Sequence, residues 1–172
     1  MDTVIDLGSS KVKITTFDQK KKIISTYLSL ANYVADTIAI EIKKNYKNLF
    51  IKSYKKTSPY QVVTSLDLKI EKTVRKLIYS KFPEHNIIGE EIGNINKNSD
   101  FTWIIDPIDG TKEFIKKNGE FTVNIALIES HKPVLGVVYA PVLNELYFSS
   151  FSSGGFKAVV DLADYDVNNL IY

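Results

Sequence analysis

Two carboxylates that could do chemistry, Asp106 and Asp109, lie three residues apart at the predicted end of a buried strand. The apolar and aromatic residues within 101–105 predict that strand. Because Pro107 has no N–H for a central ladder, we expect the strand to end at Asp106. Gly110 can adopt an unusual φ, so it predicts a turn that opens a short helix at the next residue. The pattern places two acidic side chains beside the backbone N–H groups of a helix start.

Two negative charges about 4 Å apart repel each other by about 4 kcal/mol at an effective dielectric constant of 20. The repulsion is relieved if the groups point apart, if one takes a proton, or if a cation lies between them. Oxygen ligands suit Mg²⁺, and the start of a helix suits a phosphate. The structural alternative is an Asx-turn with a helix N-cap, in which Asp106 and Asp109 only stabilise the local backbone.

The segment Asp106–Thr111, preceded by Gly89-Glu90-Glu91, resembles the signature of the inositol monophosphatase-like superfamily of Mg²⁺-dependent, lithium-sensitive phosphatases. The run 111–128 and the segment Gly136–Pro141 are similar to the CysQ branch, the 3'(2'),5'-bisphosphate nucleotidases. Inositol monophosphatases more often carry Thr-Asn-Phe or a similar sequence where this chain has Lys112-Glu113-Phe114. The motifs therefore favour the nucleotidase branch.

The resemblance implies that residues 21–172 form the N-terminal lobe of the sugar-phosphatase fold. This lobe is an α+β or α/β layered sandwich with a mostly antiparallel sheet and two long helices. The sequence pattern agrees with two long helices, because two stretches have their apolar residues on one helical face. These are Tyr27, Leu30, Ala31, Val34, Ala35, Ile38 and Ile42 in the first, and Leu66, Ile70, Val74, Leu77 and Ile78 in the second. Strands are predicted near residues 62–64, 86–88, 121–128, 134–139 and 146–148.

Residues 1–20 form an atypical segment that does not match the start of the superfamily. Their alternating pattern predicts a hairpin around Gly8-Ser9-Ser10. This hairpin resembles the first phosphate-binding hairpin of actin-like ATPases and sugar kinases. A plain hairpin is the preferred interpretation, because neither a second phosphate loop nor an adenosine site follows it.

The resemblance implies a metal site. Glu90, Asp106 and the carbonyl of Ile108 are the implied ligands of one Mg²⁺, and Asp106 and Asp109 share a second. The resemblance implies two or three Mg²⁺ ions in total, and it implies that lithium inhibits the enzyme. Glu91 is implied to support the ligands without binding metal itself.

The resemblance also implies catalytic and phosphate-binding residues. Asp67 would hydrogen-bond Thr111, and this pair would help to take a proton from the attacking water; the alternative is that Asp67 only complements the helix dipole. Backbone N–H groups of Gly110 and Thr111 would hold the phosphate. Lys116 and Lys117 either steer an anionic substrate or form a solvated helix face.

Members of the superfamily normally continue into a second α/β lobe, with a further metal-binding Asp in a Trp-Asp-x-Ala motif. Here the only tryptophan, Trp103, is followed by Ile104. We therefore expect the C-terminal lobe to be absent, unless a partner chain supplies it. The chain alone is then expected to have weak activity or none.

The predicted function is a Mg²⁺-dependent phosphomonoesterase that converts adenosine 3',5'-bisphosphate to AMP and phosphate in sulfur assimilation or nucleotide recycling. The implied partner is therefore a small phosphorylated substrate, a 3'-phosphonucleotide. One alternative is an inositol-1-monophosphatase, favoured by the spacing at Tyr60-Gln61, and another is a non-catalytic remnant or interaction module.

Composition limits the other classes of function. A net charge of +2 gives no argument for nucleic-acid binding, and the lack of cysteine excludes disulfides. No apolar run approaches the length of a membrane span, so the expected location is cytoplasmic, with peripheral association at the inner membrane left open. His85 and His131 are predicted to be surface or turn residues.

Overall fold

A computed structural model of the chain describes residues 2–6, 11–15, 33–34, 37–42, 44, 51–54, 62–150 and 154–159. Three predicted features lie outside these residues: the turn at Gly8-Ser9-Ser10, the beginning of the first amphipathic stretch, and the segment with Tyr60-Gln61. Within the described part of that stretch, residues 33–34, 37–42 and 44 are helical, and Val34, Ile38 and Ile42 are buried.

Eleven strands and two further helices are described. The strands are β1 (Asp2–Asp6), β2 (Lys11–Thr15), β3 (Ile51–Tyr54), β4 (Val62–Thr64), β5 (Asn86–Gly89), β6 (Gly93–Ile95), β7 (Phe101–Asp109), β8 (Thr122–Glu129), β9 (Lys132–Ala140), β10 (Glu145–Ser150) and β11 (Gly154–Val159). The helices are α1 (Ser65–Lys81) and α2 (Thr111–Lys116).

Seven strands form the main sheet, in the order β11-β10-β9-β8-β7-β5-β6. Among the described strands of this sheet, β5 and β7 pair in parallel and the other neighbours pair antiparallel. The pairs β1–β2 and β3–β4 form two small antiparallel sheets. The mostly antiparallel sheet with packed helices confirms the predicted fold class.

Helix α1 begins with a capping box. Thr64 accepts hydrogen bonds from the N–H groups of Leu66 and Asp67, and the Asp67 carboxylate accepts one from the N–H of Thr64. On its apolar face, Ile70 and Val74 are fully buried in the hydrophobic cluster that contains strand β7. Because the helix begins so sharply at Thr64, the position of Asp67 is fixed in its first turn.

Strand β7 differs from the prediction, because it continues past Asp106 to Asp109. Asp106 pairs with Asn124 and Asp109 with Thr122, so β7 uses three steps where β8 uses two. This is a β-bulge, and its extra residue needs no partner in the ladder. Pro107 is therefore tolerated inside the strand.

Three smaller features complete the comparison. Gly154 and Gly155 begin strand β11 and pair with Ser150 and Ser149 of β10. His131 lies in the turn between β8 and β9, with φ at +67°, as predicted. In the described residues, no helix has both the length and the apolar character needed to cross a membrane.

Candidate active site

Strands β5 and β7 bring Glu90 next to Asp106. The two strands run parallel with Gly89 opposite Ile105, so the next residue of each strand lies at the same edge of the sheet. The N–H of Glu90 donates to the carbonyl of Ile105 over 3.2 Å, which extends the pairing to Glu90 itself. The two residues, 16 positions apart in sequence, therefore lie next to each other in the backbone at one edge of the sheet.

The bulge in β7 places Asp106 and Asp109 on the same face of the sheet. In a regular strand, residues three apart point to opposite faces. Here Trp103, Ile105 and then Ile108 are buried in the core, so the alternation shifts by one between Asp106 and Asp109. Both aspartates consequently point away from that core.

Asn124 of β8 lies opposite Asp106 and contacts Asp109. Its Nδ2 donates to Oδ2 of Asp109 over 3.1 Å, and Thr122 Oγ1 donates to Asn124 Oδ1 over 3.2 Å. Asn124 was not among the residues predicted for the site. The sequence pattern of β8 does not distinguish Asn124 from other strand residues, because its contact with Asp109 depends on the register between β7 and β8.

Asp67 is a buried carboxylate, with 1% of its surface exposed. Its Oδ2 accepts from the N–H of Thr64 over 2.9 Å and from the Thr64 hydroxyl, whereas its Oδ1 has no hydrogen-bond partner among the described residues. Burial raises the pKa of Asp67, and the negative charge of Glu90 raises it further, while the Thr64 hydrogen bonds oppose the shift. The electrostatic effect of Glu90 places Asp67 in the same acidic region.

The expected hydrogen bond between Asp67 and Thr111 is not made in this structure. Thr111 Oγ1 donates instead to the carbonyl of Ile108 over 3.0 Å, and Asp67 is satisfied on one side by Thr64. The physical reason is local, since a threonine in the first turn of α2 lies within reach of a carbonyl three residues earlier. The Ile108 carbonyl is thus already hydrogen-bonded at the edge of the site.

Gly110 precedes α2 in the left-handed conformation, with φ at +88°. A Cβ at this position would lie 2.8 Å from the carbonyl oxygen of Glu120, so both conformation and space require glycine.

Glu91 is half-buried, and its N–H donates to the Glu71 carboxylate over 2.7 Å. Lys116, predicted as part of a basic surface, pairs with Glu113 over 2.9 Å. This contact offsets part of its positive charge.

The oxygen donors of this region fit a hard cation such as Mg²⁺. Oδ1 of Asp67 is a buried carboxylate oxygen without a hydrogen-bond partner among the described residues, and burying such an oxygen is costly without a compensating partner. In the described part of the chain, however, no three His, Asp or Glu side chains converge closely enough to hold an ion. Glu90 and Asp109 are exposed, and carboxylates repel each other when no cation lies between them. The backbone thus places the donors, while the side chains remain apart.

Comparison with known proteins places this geometry in a family. A sequence profile of the inositol monophosphatase family matches residues 21–161. A 91-residue segment is 46% identical to the 3'(2'),5'-bisphosphate nucleotidase CysQ of Salmonella typhimurium, covering 51% of this chain and 37% of that protein. The chain spans between 37% and 50% of the length of three curated relatives that it matches.

Solved structures agree on the fold. The extragenic suppressor protein SuhB of Bartonella henselae has a TM-score of 0.72 at 29% identity, covering 77% of this chain and 52% of that one. A structure described as an IMPase/NADP phosphatase complexed with Mg²⁺ and phosphate has a TM-score of 0.66 at 26% identity, covering 81% of this chain and 50% of that one. With the profile matching most of its length, the chain belongs to the inositol monophosphatase family.

Proposed function

We propose that this chain carries the metal-binding part of a Mg²⁺-dependent phosphomonoesterase. The observation that supports this most directly is the register of β5 and β7, which sets Glu90 beside Asp106. The bulge adds Asp109 on the same face as Asp106. Three acidic residues from two separate segments thus have their backbones at one edge of the sheet, and bringing their carboxylates together would cost free energy unless a cation offset their charge.

Glu90, Asp106, Asp109 and the carbonyl of Ile108 would hold the metal. Bound Mg²⁺ supplies Lewis-acid activation of water and neutralises charge on the phosphoryl group. Asn124 donates to one oxygen of Asp109 and so limits the orientations of that carboxylate. The donor set is made of oxygen atoms, as Mg²⁺ requires.

Asp67 and Thr111 would manage the proton of the attacking water. The raised pKa of Asp67, caused mainly by burial, makes its carboxylate a stronger base than a solvated one. Its Oδ1 has no hydrogen-bond partner among the described residues and could accept a proton or a hydrogen bond from a water O–H. The hydroxyl of Thr111 would reach the water by releasing the Ile108 carbonyl. Backbone N–H groups of Gly110 and Thr111 would hold the phosphate.

The substrate we propose is a 3'-phosphonucleotide such as adenosine 3',5'-bisphosphate. The support is the 46% identity over 91 residues with a Salmonella typhimurium protein named 3'(2'),5'-bisphosphate nucleotidase CysQ. The second candidate is inositol-1-phosphate. It is supported by a 29% identical relative from Aquifex aeolicus named fructose-1,6-bisphosphatase/inositol-1-monophosphatase.

Phosphate release by the full chain tests the proposal. Because activity of this chain alone is expected to be weak, the comparison is between the two substrates: with Mg²⁺ present, we expect the slow release to be faster from adenosine 3',5'-bisphosphate than from inositol-1-phosphate, and to be lost when EDTA is added. Asp106→Asn should abolish it, whereas Asp100→Asn, an exposed aspartate just before β7, should not. Faster release from inositol-1-phosphate would favour the second candidate. No release from either substrate, together with no uptake of Mg²⁺ by calorimetry, would indicate a non-catalytic module.

A further inference from the structure

A buried ion pair lies behind the turn that carries Glu90. Glu71 of α1 has no exposed surface and Arg75, the only arginine of the chain, is 9% exposed. Arg75 donates to Oε1 of Glu71 from Nε over 2.8 Å and from Nη2 over 2.6 Å. Neither residue is among those assigned to metal binding or to proton transfer. Because desolvation offsets much of the attraction in a buried ion pair, stability alone does not explain this one.

The ion pair contacts the backbone of residues 91–93, which follow Glu90 in the chain. Glu71 Oε2 accepts from the N–H of Glu91 over 2.7 Å, and Oε1 accepts from the N–H of Ile92 over 3.2 Å. Arg75 Nη2 donates to the carbonyl of Gly93. Helix α1 therefore fixes three successive residues of the turn through charged side chains.

The pair also approaches the residue before Glu90. A Cβ at Gly89 would lie 1.9 Å from Glu71 Oε1 and 2.4 Å from Arg75 Nη2. On the sheet side, the N–H of Glu90 donates to Ile105. Glu90 is thus an exposed side chain on a backbone that is held from two sides, by β7 and by the ion pair.

We infer that Glu71 and Arg75 are positioning residues for metal binding, which act through the turn 89–93 by holding the backbone of Glu90. Charge-assisted hydrogen bonds are stronger than neutral ones, and groups that orient a metal ligand typically change metal affinity by about 10- to 100-fold when lost. The inference rests on the proposed function, since it requires Glu90 to be a ligand. It adds that the geometry of this ligand is set by a helix that contributes Asp67 to the same region.

Calorimetric titration of the full chain with Mg²⁺ tests this with a double-mutant cycle. Glu71→Gln keeps the size of the side chain but replaces one of the two carboxylate oxygens, each of which accepts an N–H of the turn, with an NH₂ group that cannot accept. We expect it to weaken Mg²⁺ binding by about 10-fold or more. Lys72→Gln, an exposed neighbour on α1, should change nothing. If Glu71 acts through Glu90, Glu71→Gln should have no further effect in a Glu90→Gln background.

Hydrogen exchange provides a second measurement, and its first part uses only the unmodified chain. The N–H groups of Glu91 and Ile92 should exchange slowly, and Arg75→Lys, which cannot bridge Glu71 and Gly93 together, should accelerate their exchange. Fast exchange in the unmodified chain, or Mg²⁺ affinity in Glu71→Gln equal to that of Lys72→Gln, would overturn the inference alone. If the unmodified chain takes up no Mg²⁺, or Glu90→Gln binds it equally well, the proposed function fails, and the inference fails with it.

Discussion

Trp103 donates a hydrogen bond from Nε1 to Nδ1 of His85, and the two nitrogens lie 3.1 Å apart. The imidazole is stacked between the rings of Phe82 and Phe101, with a centroid distance of 4.8 Å to each. His85 was expected at the surface or in a turn, and it does lie just before β5, but its ring is half-buried. Burial lowers the pKa of His85, because the charged form loses its hydration.

We expect this histidine to make the chain less stable in mild acid. Its pKa is lower in the folded chain than its ordinary value of 6.5, so the unfolded chain binds the proton more tightly. The stability from neutral His85 is therefore complete above about pH 6.5 and falls as the pH drops below it. Urea unfolding between about pH 5 and pH 7.5, followed by the fluorescence of Trp103, measures this.

His85→Phe keeps an aromatic ring in the stack but cannot titrate, so its stability should change less over the same pH range. The free energy of unfolding of this variant should also be about 1 kcal/mol lower at neutral pH, because the Trp103 N–H loses its acceptor. His131→Asn, in an exposed turn, is the control. An equal pH dependence in the unmodified chain and in His85→Phe would contradict the assignment.

Asp67→Asn should stabilise the fold at neutral pH while abolishing phosphate release. The raised pKa of Asp67 means that its charge is disfavoured by burial, so the stability of the folded chain decreases as the pH rises through that pKa. An amide oxygen can still accept from Thr64, and removal of the buried charge should gain about 1 kcal/mol. Urea midpoints of the two chains should converge in acid, where Asp67 is protonated. A difference that is independent of pH would argue against a buried charge as its source.

Gly89→Ala should destabilise the chain, because the added methyl group would lie 1.9 Å from Glu71 Oε1. We expect a loss of about 1 to 3 kcal/mol in the free energy of unfolding, the usual effect of overpacking. Gly155→Ala is the matched control, since a Cβ at that strand position meets nothing within 4 Å. Equal urea midpoints for the two variants would mean that the ion pair yields easily to the methyl group.

Asn124→Ala should weaken Mg²⁺ binding by about 10-fold, because Asp109 loses the hydrogen bond that limits its orientation. Asn94→Ala, an exposed asparagine of β6, should bind as the unmodified chain does. Calorimetric titration gives both affinities. If the two variants bind alike, the hydrogen bond from Asn124 has no role in holding Asp109.

The sequence was sufficient to predict features that depend on neighbouring residues. The apolar face of α1 and the left-handed Gly110 each follow from local chemistry, and the structure confirms both. Contacts between distant segments could not be predicted in this way. Glu71 and Arg75 have the i,i+4 spacing of an ordinary exposed helix pair. Nothing in the local sequence indicates that a turn about 20 residues later buries this pair and hydrogen-bonds to it.

The site shows the same division. Asp106 and Asp109 were predicted as site residues from their types and spacing, yet the face to which Asp109 points depends on the pairing of β7 with β8. Asn124 was missed for the same reason. Thr111 was expected to bond Asp67, but a nearer carbonyl competes for its hydroxyl.

The bulge at Pro107 and Ile108 makes the acidic edge sensitive to the number of residues as well as to their identity. Strand side chains alternate between the two faces of the sheet, so adding one residue after Asp106 would move each later side chain of β7 to the opposite face. Asp109 would then point into the hydrophobic core and Ile108 would point away from it. A single-codon insertion here should consequently be more damaging than most substitutions, because it exchanges inside for outside without altering any side chain.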